Sequence, residues 1–482
     1  MRLDEARIRG YAVAFLLVII CAIPLSAEAK TLYVNSETGN DSISYANNDA
    51  NNPWQTIGRA AWGSTNRSSP NTGEAARPGD TVLVAAGIYT TAGTNNRFEV
   101  AYNSANSGTA GNLITFQASG TVTLRLNSSG GPVIGAYGRN YIAWKGFTIY
   151  EANAPSRPDT GSAVLVSTTG SSIEDCMING NGNPGYGDNH TGIRIEGSRN
   201  VAVRNNRISN FTTSVVNPAN GAGIQVYESY DLLIANNDIS ASGSGIFLKQ
   251  LIYNATGTTI IRNNLIYNIS TAGIIVHRQA NGQTTRIRNN IIRAAEDGIR
   301  LWGFDTETFP RNVAIANNTI YGTRNGLYIL YNLQPNVGIT FHNNIVANST
   351  YAIYSESVPS SSIEQTRFLA QHNCYYQFST LAAISGNYSL ATWKSSLGQD
   401  FASPEAISTN PLFANTANGD FRLQVGSPAL NLGVDVLDLN NNGSVTDIIP
   451  AGAYVTGNEV IGVASQSSDI LPPAPPVNLS VR

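Results

Sequence analysis

Residues 192–209 read GIRIEGSRNVAVRNNRIS, and residues 223–240 read GIQVYESYDLLIANNDIS. The second stretch repeats the first: a Gly-Ile start, short runs of β-branched residues, and a pair of asparagines before the last run. Four more copies follow. They are GIFLKQLIYNATGTTIIRNNLIY from Gly245, GIIVHRQANGQTTRIRNNII from Gly273, GIRLWGFDTETFPRNVAIANNTIY from Gly298 and GLYILYNLQPNVGITFHNNIV from Gly326. The paired asparagines fall at 205–206, 236–237, 263–264, 289–290, 317–318 and 343–344. Weaker copies flank them, SAVLVSTTGSSIEDCMING before and AIYSESVPSSSIEQTRFLAQHNCYY after. Self-similarity at a fixed spacing marks a repeat architecture and is read before any local propensity.

No unit has room for a ten-residue helix. The Leu-x-x-Leu-x-Leu register of leucine-rich repeats and the W-D signature of propeller blades are both missing. Strands and turns alone fit a parallel β-solenoid, with coils stacked about 4.8 Å apart. Side chains alternate along a strand, so the first and third residues after each glycine point inward; Ile246, Leu248, Ile274, Val276, Ile299 and Leu301 are the expected core. Asparagines stacked from coil to coil predict an inner ladder that includes Asn263, Asn264, Asn289 and Asn290. Cys176 and Cys374 both align with the asparagine column, about seven coils apart, hence over about 30 Å. That exceeds disulfide reach, and both read as buried, unpaired thiols. Over roughly residues 80–380 the repeat resembles the right-handed parallel β-helix superfamily, with its pectin-lyase-like fold. The expected class is all-β, a right-handed parallel β-helix with a short N-terminal capping helix.

The ends differ from the middle because a solenoid needs caps over its open core. Trp54, Ile57, Ala60, Ala61 and Trp62 make an apolar face at helical spacing, so Trp54–Trp62 is expected to be a capping helix. The expected organisation is a signal peptide at 1–29, a cap at 30–79, the β-helix at 80–400, a closing segment at 401–465 and a Pro-rich tail at 466–482. The leader rests on Arg2, Arg7 and Arg9 before YAVAFLLVIICAIPL and on the Ala27-Glu28-Ala29 site. It implies a secreted, extracellular or periplasmic protein with no membrane attachment after cleavage. With 13% charged residues and a formal net charge of −3, the chain is not a nucleic-acid binder. A monomer is expected.

The outward residues of the repeated strand form two columns. At the second place after glycine stand Arg194, Gln225, Phe247, Ile275, Arg300 and Tyr328; at the fourth, Glu196, Tyr227, Lys249, His277 and Trp302. Glu228, Arg278 and Tyr331 follow at the turn. A sheet face with stacked aromatic and ionic rows suits a polysaccharide, since rings stack on sugars and cations pair with carboxylates. The turns after Lys249, His277 and Trp302 are also the longest, and long loops on a rigid repeat carry function. The alternative is a solvated face with polar residues facing water.

The resemblance implies a lyase acting on an acidic, uronate-containing polysaccharide by β-elimination, with an Arg or Lys base on this face and often Ca2+. Lys249 is then the base, with a pKa lowered by His277, Arg278 and Arg300, and Arg278 or Arg300 is the carboxylate clamp. The aspartate cluster that holds calcium in pectate lyases is not found; Asp188, Glu196 and Glu228 are the nearby acids. Asp438, Asn440, Asn442 and Gly443 stand at calcium-loop spacing, but Ile449 fills the twelfth place, leaving a calcium loop or an Asn/Gly turn. Competing readings are a glycoside hydrolase pairing Glu296-Asp297 with Glu196 or Glu228, and a non-catalytic carbohydrate-binding surface protein.

Overall fold

The computed structural model describes residues 28–91, 104–126, 132–151, 161–182, 189–213, 217–251, 256–303, 310–330, 338–356, 359–401 and 406–464. Its coil strands pair in parallel, coil upon coil, into one wound sheet, and two short antiparallel pairs lie apart from it in the C-terminal segment. One ladder passes from Thr191–Glu196 through Ala222–Tyr227 and the C-terminal halves of Asp238–Gln250, Leu265–Val276 and Ile291–Trp302 to Asn325–Leu330. A second runs from Arg199–Arg204 through Tyr230–Ala235, Gly257–Arg262, Gln283–Arg288 and Val313–Ala316 to Ile339–His342. Ile246, Leu248, Ile274, Val276, Ile299 and Leu301 all lie in the central core with no exposed surface. The repeated glycine is a matter of space. A Cβ on Gly245 would stand 2.4 Å from the Gly273 carbonyl oxygen and 2.6 Å from Ile266 Cγ2.

The paired asparagines divide their work, which corrects the expectation that both join the ladder. The second of each pair forms the continuous ladder, while among the first members Asn343 Nδ2 donates to Asn317 Oδ1 at 3.0 Å. Nδ2 of Asn206, Asn237, Asn264, Asn290, Asn318 and Asn344 donates to Oδ1 of the next, ending on Asn373, at 2.9–3.2 Å. Each Oδ1 also accepts the backbone N–H of the preceding ladder residue, as Asn290 Oδ1 does from Asn264. Fully enclosed amides persist only when every donor and acceptor is matched. The first asparagine of each pair instead has positive φ, 57° at Asn263 and 54° at Asn289. Asparagine tolerates this left-handed turn better than other L residues. Cys176 takes a ladder place, its N–H donating to Asn206 Oδ1. Cys374 sits one residue past the ladder, packed with Ile345, Ala429, Leu432 and Ala451. Both thiols are buried and free.

At the N-terminal end, a helix spans Ile57–Trp62, capped by Thr56 Oγ1 and closed by Gly63 at φ 69°. It is shorter than the expected Trp54–Trp62; Trp54 instead pairs with the backbone of Tyr33 and Asn35. At the other end a second helix, Leu390–Leu397, had no counterpart in the sequence reading. Just past it, Asp400 terminates the ladder. Its carboxylate accepts from Asn373 Nδ2, Tyr375 Oη and Trp393 Nε1, and burial raises its pKa. The chain then returns along the outside. Val434, Pro450, Ala453 and Val460 present carbonyls to the amides of Asn343, Asn317, Asn289 and Asn263. The outer asparagines thus hold this segment against the coils.

Candidate functional site

The first ladder sets the second-place column in register: Arg194, Gln225, Phe247, Ile275, Arg300 and Tyr328 are successive Cα partners, and Tyr354 continues the row. Between Asp238–Gln250 and Ala222–Tyr227 the register slips, Val226 pairing with Leu248 and Tyr227 with Gln250. Lys249 is therefore the extra residue of a β-bulge. Bulges re-aim a side chain and recur beside active sites. Lys249 Nζ donates to Asn189 Oδ1 at 2.8 Å and Asn220 Oδ1 at 2.9 Å. It also lies over the rings of Tyr227 and Phe247, at 5.5 and 5.8 Å. Tyr227 Oη donates to the same Asn189 oxygen.

The second-place column is not the open row expected from alternation. Gln225, Phe247 and Ile275 are fully buried. A short turn, Pro218–Asn220, crosses the face, and Ala219, Ala222, Ala272, Phe247 and Ile275 form an outer apolar cluster with Trp302 against it. Alternation assigns a side chain to a face but does not show what covers that face. Arg194 and Arg300 are the partly exposed members of the column, and Tyr328 at its end is buried. Arg194 pairs with Glu196 at 2.8 Å and stacks on Tyr227 at 4.5 Å. Arg300 pairs with buried Asp297 at 2.5 Å and stacks on Tyr328 at 5.3 Å. Asn325 also donates to Asp297, and burial raises the Asp297 pKa. Tyr328 continues into Tyr354 and Tyr351, an aromatic platform the sequence reading missed; burial pushes the Tyr328 phenol up to about 12.

Among the remaining predicted residues, His277 is buried and stacks on Trp302 at 4.7 Å. Arg278 is half-buried at the turn, where its carbonyl accepts from Leu251 N–H. Glu228 is exposed at φ 42°. Tyr331 and Asp188 lie outside the described residues. The cations expected around Lys249 do not surround it as a group, since Arg300 stands in the second-place column against Asp297. Glu296-Asp297 and the upstream acids are also not brought together. Four coil steps separate Glu196 from that strand and three separate Glu228. At about 4.8 Å per step this is roughly 14–19 Å, beyond the 5–9.5 Å or so that a glycosidase pair spans.

Behind the lysine lies a buried network that sequence reasoning missed. His190 Nε2 meets Glu151 Oε2 at 2.9 Å, and Ser162 Oγ donates to Glu151 Oε1. His190 Nδ1 lies 3.0 Å from the Thr212 carbonyl oxygen, so that nitrogen carries hydrogen. A second proton is then shared between Nε2 and the carboxylate. His190 immediately follows Asn189, so this network fixes the residue that holds Lys249. The serine donates to the glutamate and not to the histidine, so the trio is no activated nucleophile.

Among the described residues, no group of three or more His, Cys, Asp or Glu comes together as a metal site. In the stretch with calcium-loop spacing, Asp438 Oδ1 accepts from the backbone of Asn442 and Gly443. Asp447 accepts from Asn440 and Ser444.

The sequence family described as right handed beta helix region matches residues 132–314, and one described as periplasmic copper-binding protein (NosD) matches residues 279–421. No curated protein matches the chain. Among solved structures, pectate lyase Pel9A is similar with a TM-score of 0.50 at 14% identity, over 89% of this chain and 97% of that one. A mannuronic acid specific polysaccharide family 6 lyase from human gut microbiota follows with a TM-score of 0.45 at 14% identity, over 64% and 72%. Lacto-N-biosidase from Eubacterium ramulus has a TM-score of 0.47 at 14% identity, over 72% and 64%. The residues do not fit a copper centre. In the stretch matching the copper-binding family, the soft donors are His342, His372 and Cys374. Among the described residues they do not gather with other His, Cys, Asp or Glu into a group of three that could hold a metal. Repeat, register and likeness agree on the architecture: the chain has the right-handed parallel β-helix fold, like that of the pectate lyase.

Proposed function

We propose that the protein is exported and cleaves an acidic, uronate-containing polysaccharide by β-elimination. The observation that carries this is the bulged Lys249, aimed outward among Tyr227, Phe247 and two asparagine oxygens on the face that also bears Arg194, Arg300, Trp302 and Tyr328. Lys249 takes the proton beside the uronate carboxylate. Arg278 or Arg300 offsets the carboxylate charge, and Tyr227, Trp302 and Tyr328 stack on sugar rings. His277 positions Trp302 by stacking, and Arg194, Glu196, Glu228 and Tyr331 frame the substrate path. The described relatives named as lyases for pectate and mannuronic acid support a polymer of this class.

Incubation with a panel of uronate polymers, followed by the ultraviolet absorbance of unsaturated ends, tests the reading. Lys249→Ala is expected to lower the rate by about 10²–10⁴ with the unfolding midpoint nearly kept. No unsaturated ends from any polymer would remove the lyase. A second reading, glycan binding without cleavage, is favoured by the pairing of Arg300 with Asp297 and of Arg194 with Glu196. It predicts retention on the same polymers with no new ends.

A further inference from the structure

The second ladder carries a charge pattern that the first does not. Ile261 and Ile287 point into the core, so Arg262, Arg286 and Arg288 point out. Arg262 and Arg288 are direct Cα partners on adjacent coils, about 4.8 Å apart. Arg286 stands two residues before Arg288 on the same face, about 6.6 Å away. Short side chains flank the group: Ala235 beside Arg262, Ala316 beside Arg288 and Ala314 beside Arg286.

Several other arginines of the described structure sit against acids, as in Arg59–Glu74, Arg204–Glu174, Arg300–Asp297, Arg324–Glu296 and Arg422–Asp420. These three do not. Among the described residues, the side-chain partners of Arg262 and Arg288 are the turn asparagines, Asn263 Oδ1 at 3.4 Å and Asn289 Oδ1 at 3.1 Å. Asp435 is the acid whose charge reaches Arg288, but it is buried, and its carboxylate already accepts from Leu439 and Asn440 N–H. Burial, then repulsion from Arg262 and Arg286, pulls the Arg288 pKa down to about 10. Like charges at neighbouring positions of a sheet destabilise it. In a chain with acids in slight excess, neutralising partners were available, so the cluster points to an external anion.

We propose that Arg262, Arg286 and Arg288 bind the carboxylate or sulfate groups of an acidic polysaccharide strand lying along the solenoid axis, on a different ladder from the candidate site. Guanidinium forks match such groups with two parallel hydrogen bonds. The three positions form a right angle on the outer face, Arg262 and Arg288 stacked along the axis and Arg286 offset along the strand, with Arg286 exposed and the other two half-buried; this spread along two coils suits successive charged groups of a strand. The inference goes beyond the proposed cleavage and does not need it.

The test is binding of polygalacturonate and of heparin, with dextran as the neutral control, measured calorimetrically at low and high salt. Wild-type protein should bind both polyanions at low salt, lose them at high salt and ignore dextran. Arg286→Ala/Arg288→Ala should bind at least about tenfold more weakly. Its unfolding midpoint should match or exceed wild type, because repulsion is removed; the exposed single change Arg286→Ala gives the same direction if the double variant folds poorly. Unchanged affinity in both variants, or equal binding of dextran, overturns the proposal. Failure to cleave bears on Lys249 alone, and unchanged polyanion binding in the arginine variants bears on this site alone.

Discussion

Replacing Asn290 by Ala, with Asn289→Ala as its neighbour control, separates the two halves of the asparagine pair. Asn290 is fully buried, and its Oδ1 accepts from Asn264 N and Nδ2 at 3.0 and 2.9 Å. Its Nδ2 donates to the Ile261 and Arg288 carbonyls and to Asn318 Oδ1. Alanine leaves the Asn264 N–H without an acceptor where no water reaches, while Asn264 Nδ2 keeps the Ile234 and Arg262 carbonyls. Such an orphan costs about 1–3 kcal/mol, so the loss is about 2–5 kcal/mol once the small void is included. Asn289→Ala removes one bond to the returning segment, to the Ala453 carbonyl at 3.1 Å, and the bond from Arg288. It also puts alanine at φ 54°. Its cost is about 1–2 kcal/mol, and Asn289→Gly recovers the backbone part. Urea unfolding followed by circular dichroism gives the comparison, read as midpoints because repeat arrays need not unfold in one step. A midpoint for Asn289→Ala as low as that for Asn290→Ala would refute the division of labour.

Leu248→Ala should cost about 2–5 kcal/mol by opening a cavity in the core; a neutral result in urea unfolding would mean the side chain points outward. Gln225→Leu should raise the midpoint, by about 1–3 kcal/mol, because both amide atoms of this enclosed residue lack hydrogen-bond partners; destabilisation would show that the amide is satisfied in solution. Stability against pH should be shallow between about 4 and 6 because two groups oppose each other. Burial raises Asp238 from 3.8 to about 6, so its share of stability is present at low pH and lost as pH rises through that window. Burial and the charge of His372 lower His342 from 6.5 to about 4, so its share is lost as pH falls. Asp238→Asn keeps the acceptor for Val463 N–H and leaves the histidine unopposed, so the variant should lose on the order of 2–3 kcal/mol on going from pH 6.5 to 4. A profile no steeper than that of wild type would count against the raised Asp238.

The fold was legible because its causes are local and repeated. The glycine needed where coils touch, the inward residues at first and third places and the asparagine pair each recur in every unit, so one coil predicts the next. The two roles within each pair were not legible, since both asparagines recur equally and only the backbone shows that one takes the left-handed turn. Asp400 could not be read either, because it ends the ladder by depth in the structure and occupies no repeated place. The candidate site was legible as columns of residue types and no further. The side chains that hold Lys249 come from Asn189 and Asn220, 60 and 29 residues away. The bulge that re-aims it is a register slip with no sequence mark.

The Pro218–Asn220 turn ties these features together. It covers the middle of the outward column, enclosing Gln225, Phe247 and Ile275, and through Asn220 it also grips Lys249. Enclosing Gln225 with its amide unpaired is unfavourable, while the lysine contacts and the apolar cluster favour the closed turn. The same turn thus sets what the sheet face presents. With the column sealed at its centre, the proposed substrate chain would reach Lys249 along the strand ends, past Glu196 and Tyr227 on one side and Trp302 on the other. Arg194, near the first coils, and Arg300 with Tyr328 and Tyr354, near the last, then lie at opposite limits of one path. Alternation alone had drawn a flat open face. The covered column makes it a narrower track, with the bulged lysine between its two aromatic and cationic ends.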